Sequence, residues 1–199
     1  MKFTIPDYSF EGYIFDCDGT LADTMPLHYI AWKEALAKNG ATFNFSEKLF
    51  YSLAGMSLED SINYFNRELN ERLEPTSVDK HKVSIFSELI PQIKPIQSVV
   101  NYAIDRKENG FPIAVCSGGC RKDVFETLDL LHIKDLFDVI YTQDDVQKGK
   151  PNPEMFLKAA NFMQVHPEKC LVFEDAQKGI EAAEAANMQW TLIPSQVIN

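Results

Sequence analysis

Five short apolar runs alternating with helical patterns, a strand-free stretch of about 70 residues, and reactive residues directly after several runs predict a doubly wound α/β fold. The runs cover residues 12–15, 112–116, 139–141, 170–173 and 190–193, and each is apolar nearly throughout. A strand in a parallel sheet is buried on both faces, so it reads as a continuous apolar segment and not as an alternating one.

The first run ends in Asp16-Cys17-Asp18-Gly19-Thr20. Asp-Gly between apolar segments is a hairpin signal, and Asp-x-Asp-Gly also opens a calcium loop. A hairpin needs a strand directly after Gly19, yet the segment from Thr24 to Lys38 has Leu27, Ile30, Ala31 and Trp32 at helical spacing. A calcium loop needs a glutamate at its twelfth position, where counting from Asp16 arrives at Leu27.

Residues 23–92 contain several helical patterns and no strand, and their length far exceeds an ordinary connection. They are expected to form a helical domain inserted into an α/β core made of 1–22 and 93–199. Ser57-Leu-Glu-Asp60 and Thr76-Ser-Val-Asp79 resemble helix N-caps with an acid in the first turn, Pro75 divides two helices, and Pro91 and Pro95 mark the return to the sheet. Helices are expected over 97–109 with Gly110 just beyond, then over 121–131, 153–163 and 179–187.

With 45% hydrophobic and 24% charged residues, the 199-residue chain reads as a soluble globular protein, and no apolar stretch approaches membrane-spanning length. The start Met-Lys-Phe-Thr-Ile-Pro-Asp-Tyr lacks the apolar core of a secretion signal, so the expected location is cytoplasmic. Cys17, Cys116, Cys120 and Cys170 follow neither zinc nor disulfide spacing and are expected to be reduced core residues. A net charge of −10 argues against nucleic acid as a partner but not against a small anion, since a metal and a few local cations can reverse the potential inside a cleft.

Ligands of open α/β sheets bind beyond the carboxyl ends of the strands. There the chain carries Asp16 and Asp18, which alternation sends to one side, then Ser117-Gly118-Gly119, Lys148-Gly149-Lys150-Pro151-Asn152-Pro153, and Glu174-Asp175. Paired carboxylates resist joint ionisation, so either a divalent cation holds both charged or one stays protonated as a general acid. A serine hydroxyl and flexible glycine amides before a helix suit phosphate oxygens, although glycines there could equally form a turn.

Together these motifs resemble the haloacid dehalogenase superfamily along essentially the whole chain: Asp16-x-Asp18-Gly19-Thr20-Leu21-x-Asp23-Thr24, Ser117, Lys150-Pro151-x-Pro153 and Glu174-Asp175 stand in the family's order. Within it, His28 and Trp32 of the Asp-Thr-x-x-x-His-x-x-Ala-Trp segment, with Phe173-Glu174-Asp175-Ala176, are similar to the beta-phosphoglucomutase and small sugar phosphatase subgroup. The resemblance implies a Rossmann-like core with a helical cap, and phosphoryl transfer through an aspartyl phosphate. Asp16 would be the nucleophile and Asp18 the proton carrier, while Ser117, Gly118 and Lys150 hold the phosphoryl oxygens. Mg²⁺ would be bound by Asp16, the Asp18 carbonyl and Asp175, with Glu174 ligating directly or through water. Asp23 and His28 would either contact substrate or serve structure, as a helix cap and a packed histidine. The implied partner is a small phosphorylated metabolite such as a sugar phosphate, and the expected assembly is a monomer or weak dimer.

Beta-phosphoglucomutases carry an arginine after the serine of a Gly-x-Ser segment, for the second phosphate, where this chain has Gly55-Met56-Ser57-Leu58. They also place a lysine shortly after the second-strand serine, where Cys120 stands here beside Arg121. One strong anion site suits a Mg²⁺-dependent phosphatase better than a mutase, which is the alternative. A non-catalytic phosphometabolite-binding protein fits less well, because none of the constellation is missing.

Overall fold

The computed structural model describes residues 3–53 and 56–194. Their contacts divide them into two compact units, one made of 3–23 with 93–194 and the other of 24–92.

The first unit is a five-stranded sheet, every neighbouring pair parallel: β1 Gly12–Phe15, β2 Ile113–Cys116, β3 Val139–Tyr141, β4 Cys170–Glu174 and β5 Gln189–Leu192, in spatial order β3-β2-β1-β4-β5. This is the doubly wound arrangement. Strands 1 to 3 step one way and β4 returns to the other side of β1, so the connection reverses between β1 and β4, where open sheets leave a crevice. The three central strands are wholly buried. Register places Phe15 opposite both Val115 and Phe173, so Asp16 and Glu174 leave the sheet side by side. The Asp16 N–H donates to the Phe173 carbonyl at 3.0 Å and locks this alignment.

Helices α5 Gln97–Glu108, α6 Arg121–Leu130, α7 Glu154–Met163 and α8 Gln177–Ala185 belong to the same unit. On one face Ile14, Ala114, Cys116 and Val172 pack against Met155, Phe156, Ala159 and Ala160 of α7 and Ala182 and Ala183 of α8. That helical spacing forms the apolar stripe α7 needs to lie on the sheet. On the other face the rings of Phe15 and Phe173 stack at 4.5 Å, with Tyr102 of α5 at 5.1 Å from Phe173. Alternation along β1 explains the split, since Tyr13 and Phe15 share one face and Ile14 takes the other.

Residues 24–92 hold α1 Met25–Lys38, α2 Glu47–Ser52, α3 Leu58–Glu68 and α4 Pro75–Leu89, and no strand occurs among the described residues there. Ala31, Ala35, Leu36, Phe45, Ile62, Phe65, Val78 and Ile85 make the core of this unit. Between α3 and α4 the Asn66 amide receives the Leu73 N–H and donates to the Leu73 carbonyl, both at 2.8 Å, which fixes the turn.

Several boundaries differ from the sequence expectation. Ser57 does cap α3, accepting from the Asp60 N–H at 3.0 Å, but the cap of α4 is Glu74 and not Thr76. Pro75 is already preset for the first helical position, which moves the start earlier, and the Glu74 carboxylate takes the Ser77 N–H at 2.7 Å. α8 begins at Gln177 with Gly179 inside it. Cys17, Cys116 and Cys170 are buried, but Cys120 is exposed, because it is the N-cap of α6 and has already left the sheet. No described helix is long and apolar enough to cross a membrane.

Phe65 is fully buried and meets Trp32, Phe43, Phe45 and Tyr64 ring to ring. Phe65→Ala is expected to cost about 3–5 kcal/mol, the usual range for an emptied aromatic site. Urea denaturation followed by circular dichroism measures it, and a loss below about 1 kcal/mol would contradict this packing.

Candidate active site

The end of β1 turns sharply instead of forming a hairpin. Gly19 has φ +78°, the left-handed region that only glycine enters freely, and the Leu21 and Ala22 N–H groups both donate to the Cys17 carbonyl at 2.9 Å. A Cβ on Gly19 would stand 2.2 Å from Oδ2 of Asp175. The turn therefore needs glycine twice, for its φ and for the carboxylate lying against it.

At the end of β4, Glu174 is only 1% exposed. Its Oε2 accepts the Asp175 and Ala176 N–H groups, each at 3.0 Å, at the start of α8, where free amides and the helix dipole favour a negative charge. Its Oε1 is bonded to Nζ of Lys150, which also donates to Oδ1 of Asp16 at 2.7 Å. The lysine side chain is itself 10% exposed and passes over the Phe156 ring at 5.1 Å.

One oxygen each from Asp16, Glu174 and Asp175 lies within 4.8 Å of the others. Three carboxylates thus gather beside one ammonium. Burial raises the Asp16 carboxyl far above its usual range, with Lys150 opposing and Glu174 and Asp175 adding to the rise. The Asp175 carboxyl is pushed up to about 7, by burial first and then by Glu174. Burial alone would lower Lys150, but the Asp16 and Glu174 carboxylates outweigh it and hold the ammonium above its ordinary value. A cluster of hard oxygen donors short of positive charge suits a divalent cation.

Asp18 is not one of those three acids, although its charge adds to the rise at Asp175. A Cβ on Gly119 would lie 3.4 Å from Oγ of Ser117 and 3.7 Å from Oδ2 of Asp18, so the Asp18 carboxylate faces the Ser117-Gly119 loop. The sequence leads one to expect Asp16 and Asp18 to crowd one another; the charges that crowd Asp16 come instead from β4, because parallel pairing brings Glu174 and Asp175 alongside. Ser117 is 1% exposed, and its Oγ accepts the Gly119 N–H at 3.1 Å, which leaves the hydroxyl hydrogen available. Gly118 is exposed with no atom near its missing side chain.

Asp23 ends the first segment of this unit. Its N–H donates to the Lys94 carbonyl at 2.8 Å, and burial raises its carboxyl while Lys94 opposes. In the helical unit, the His28 ring stacks on Phe86 at 4.0 Å and lines a cavity of about 220 Å³ with Met25, Trp32, Phe50, Leu53 and Met56. Thr24 is the N-cap residue of α1, without a side-chain cap bond. Gly55, of the Gly55-Met56-Ser57-Leu58 segment, lies outside the described residues.

The roles of three residues of this centre are not evident in the sequence. Gly179 is tight against the site, since a Cβ there would come 1.8 Å from Oε1 of Glu174. Gln143 donates its N–H to the Gly119 carbonyl at 3.1 Å, with its side chain against Gly149. Glu154 accepts the N–H groups of Gln147 and Lys148 beside Lys150. An acid directly after Lys150-Pro151-Asn152-Pro153 is the one available hint for Glu154, while Gln143 carries none.

Residues 13–193 match the model of the haloacid dehalogenase-like hydrolases, so the chain belongs to that family. It is 34% identical over 181 residues to a fructose-1-phosphate phosphatase of Escherichia coli, covering 90% of this chain and 94% of that one. It is 30% identical over 183 residues to a phosphorylated carbohydrates phosphatase of Thermotoga maritima, covering 90% and 82%. Among solved structures, a haloacid dehalogenase-like protein of unknown function from Agrobacterium tumefaciens superposes with a TM-score of 0.81 at 27% identity, over 92% of this chain and 82% of that one.

Replacing a helix glycine by alanine normally gains up to about 1 kcal/mol. At Gly179 the sign should reverse, because the new Cβ must displace the Glu174 carboxylate from Lys150. Urea denaturation of Gly179→Ala measures the change, and a gain in stability would contradict the close approach.

Proposed function

We propose that this haloacid dehalogenase-like hydrolase is a Mg²⁺-dependent phosphatase of small phosphorylated metabolites, sugar phosphates among them, and that Asp16 is its nucleophile. The observation that carries the reading is the buried carboxylate of Asp16, held through Oδ1 by Lys150 beside Glu174 and Asp175. A carboxylate so fixed is oriented before substrate arrives, and phosphoryl transfer depends mainly on such positioning and on charge stabilisation.

In this scheme a carboxylate oxygen of Asp16 attacks phosphorus in line as the ester P–O bond breaks. Asp18 gives its proton to the departing oxygen, and the free alcohol leaves an aspartyl phosphate. Water then attacks that phosphorus, Asp18 takes back a proton, and cleavage of the bond to Asp16 releases inorganic phosphate and regenerates the carboxylate. Ser117 donates its hydroxyl hydrogen to a phosphoryl oxygen while its own Oγ is occupied by the Gly119 N–H. The open backbone at Gly118 allows close approach of the phosphate, and Lys150 neutralises charge on it. The residues that would hold Mg²⁺ are Asp16, Asp175 and the Asp18 carbonyl, with Glu174 as ligand or as support. When bound, the ion offsets the surplus negative charge of the acids and of the incoming phosphate.

The resemblance to phosphatases of fructose 1-phosphate and of phosphorylated carbohydrates supports the substrate class. Gly55-Met56-Ser57-Leu58 has no arginine for a second phosphate, which favours hydrolysis over mutase chemistry.

With a panel of sugar phosphates, phosphate release in Mg²⁺ is expected to fall to background in Asp16→Asn. Retained Mg²⁺-dependent release by that variant would refute the nucleophile, and interconversion of sugar 1- and 6-phosphates without free phosphate would make the enzyme a mutase. Chelation should abolish activity and Mg²⁺ restore it. With the metal-free Asp175 carboxyl pushed up to about 7, protons compete with Mg²⁺ for it increasingly as the pH falls. The half-saturating Mg²⁺ concentration should therefore rise as the pH is lowered through that value, and a flat dependence would count against Asp175 as a ligand.

A further inference from the structure

Lys150 must be placed within a fraction of an ångström to bridge Asp16 and Glu174, yet it stands in a polar loop with exposed neighbours. Gln147, Lys148 and Pro151 are all exposed. Such a loop has little apolar packing of its own, and something else must hold its backbone.

Glu154 is the first residue of α7, four positions after the lysine. Its carboxylate reaches back under the loop. Oε1 accepts the Gln147 N–H at 3.1 Å, while Oε2 accepts the N–H groups of Gln147 at 3.2 Å and Lys148 at 3.1 Å. The Glu154 N–H donates to Oδ1 of Asn152 at 3.0 Å, and the Asn152 N–H donates to the Gly149 carbonyl at 3.0 Å. The chain on both sides of Lys150 is thus tied to one residue. α7 makes two further contacts here: Phe156, two residues after Glu154, lies under the Lys150 side chain at 5.1 Å, and Lys158 pairs with Glu154 itself from the next turn at 3.2 Å. The backbone N–H of Gln147 also holds the Glu154 carboxyl below its usual range, so it stays ionised at neutral pH.

We propose that Glu154 is a positioning residue for phosphoryl transfer, gripping the 147–152 loop so that the Lys150 ammonium is fixed between Asp16 and Glu174. It touches neither substrate nor the reacting atoms and acts through Lys150, and the inference rests on the phosphatase reading above. An ordinary structural cap would affect the folded fraction only. A positioning residue affects the chemical step in molecules that are folded.

The test compares Glu154→Ala, Glu154→Gln and Asp16→Asn at a temperature where circular dichroism shows all of them folded, with Mg²⁺ and the best substrate of the panel. Glu154→Ala is expected to lower kcat about 10- to 100-fold, the scale of a misplacement near 1 Å, with KM changed less than about 3-fold. Glu154→Gln keeps one acceptor oxygen for the loop amides and should recover most of kcat. A folded Glu154→Ala with kcat within about 2-fold of the parent overturns the proposal. So does a pair of variants whose kcat falls equally, since the glutamine then rescues nothing. Should the alanine variant not fold, Glu154→Asp takes its place: shorter by one methylene, it cannot reach both amides, and unchanged kcat in it overturns the proposal. Asp16→Asn separates the two readings, because its continued activity defeats the phosphatase assignment, whereas its inactivity beside a fully active Glu154→Ala defeats only the role of Glu154.

Discussion

The structure turns on one unfavourable arrangement: three carboxylates gathered at the buried ends of β1 and β4 around the single ammonium of Lys150. Parallel pairing of β1 with β4 forces it, because Phe15 opposite Phe173 leaves Asp16 beside Glu174 as the strands end. Taking such charges out of water is costly, and the cost grows when like charges share the space. The raised Asp16 and Asp175 carboxyls record that cost. What keeps the arrangement folded is the rest of the unit, where the stacked Phe15 and Phe173 rings and the α7 stripe bury the strands that carry the acids.

Two glycines make the crowding sterically possible. Gly19 and Gly179 each stand where a Cβ would overlap a carboxylate, of Asp175 and of Glu174 respectively. The first also adopts a left-handed φ, whereas the second sits in a helix and gives up helix stability for the close approach. A glycine in a helix usually looks like a boundary. Here it marks the place where α8 comes down onto the site, which is why the sequence pattern alone starts this helix at 179 when it starts at 177.

The fold is legible in the sequence because its signals are local and repeated: a short apolar run such as 112–116, between helical patterns, reads as a strand buried on both faces, and the residues directly after such runs lie at the crevice edge. Asp16, Ser117, Glu174 and Asp175 can be named as candidates for the same reason, whereas Lys150, nine residues past β3, is marked by its place between Gly149 and Pro151. The partners of each charge cannot be named in this way. Alternation along one strand points to Asp18 as the neighbour of Asp16, but register between strands decides neighbours, and register is a property of the pair. Gln143 is invisible, and Glu154 is hinted at only by its place after Pro153, because both act through backbone groups of residues that are themselves ordinary in sequence. Thr76 looks like the better cap than Glu74 since a glutamate is not among the preferred caps, and only Pro75 fixes which residue precedes the helix.

The adjacent acids Glu174 and Asp175 illustrate how the same chemistry is divided by a single step of backbone. Glu174 is buried where two N–H groups at the start of α8 and the Lys150 ammonium compensate its charge. Asp175 lies against Gly19, and its burial is opposed mainly by Lys150 while Glu174 makes ionisation harder. Glu174 is thus the acid whose charge the fold already satisfies, and it serves as an anchor for the lysine. Asp16 and Asp175 are the acids left with an unmet demand for positive charge, and a cation held between them would compensate both.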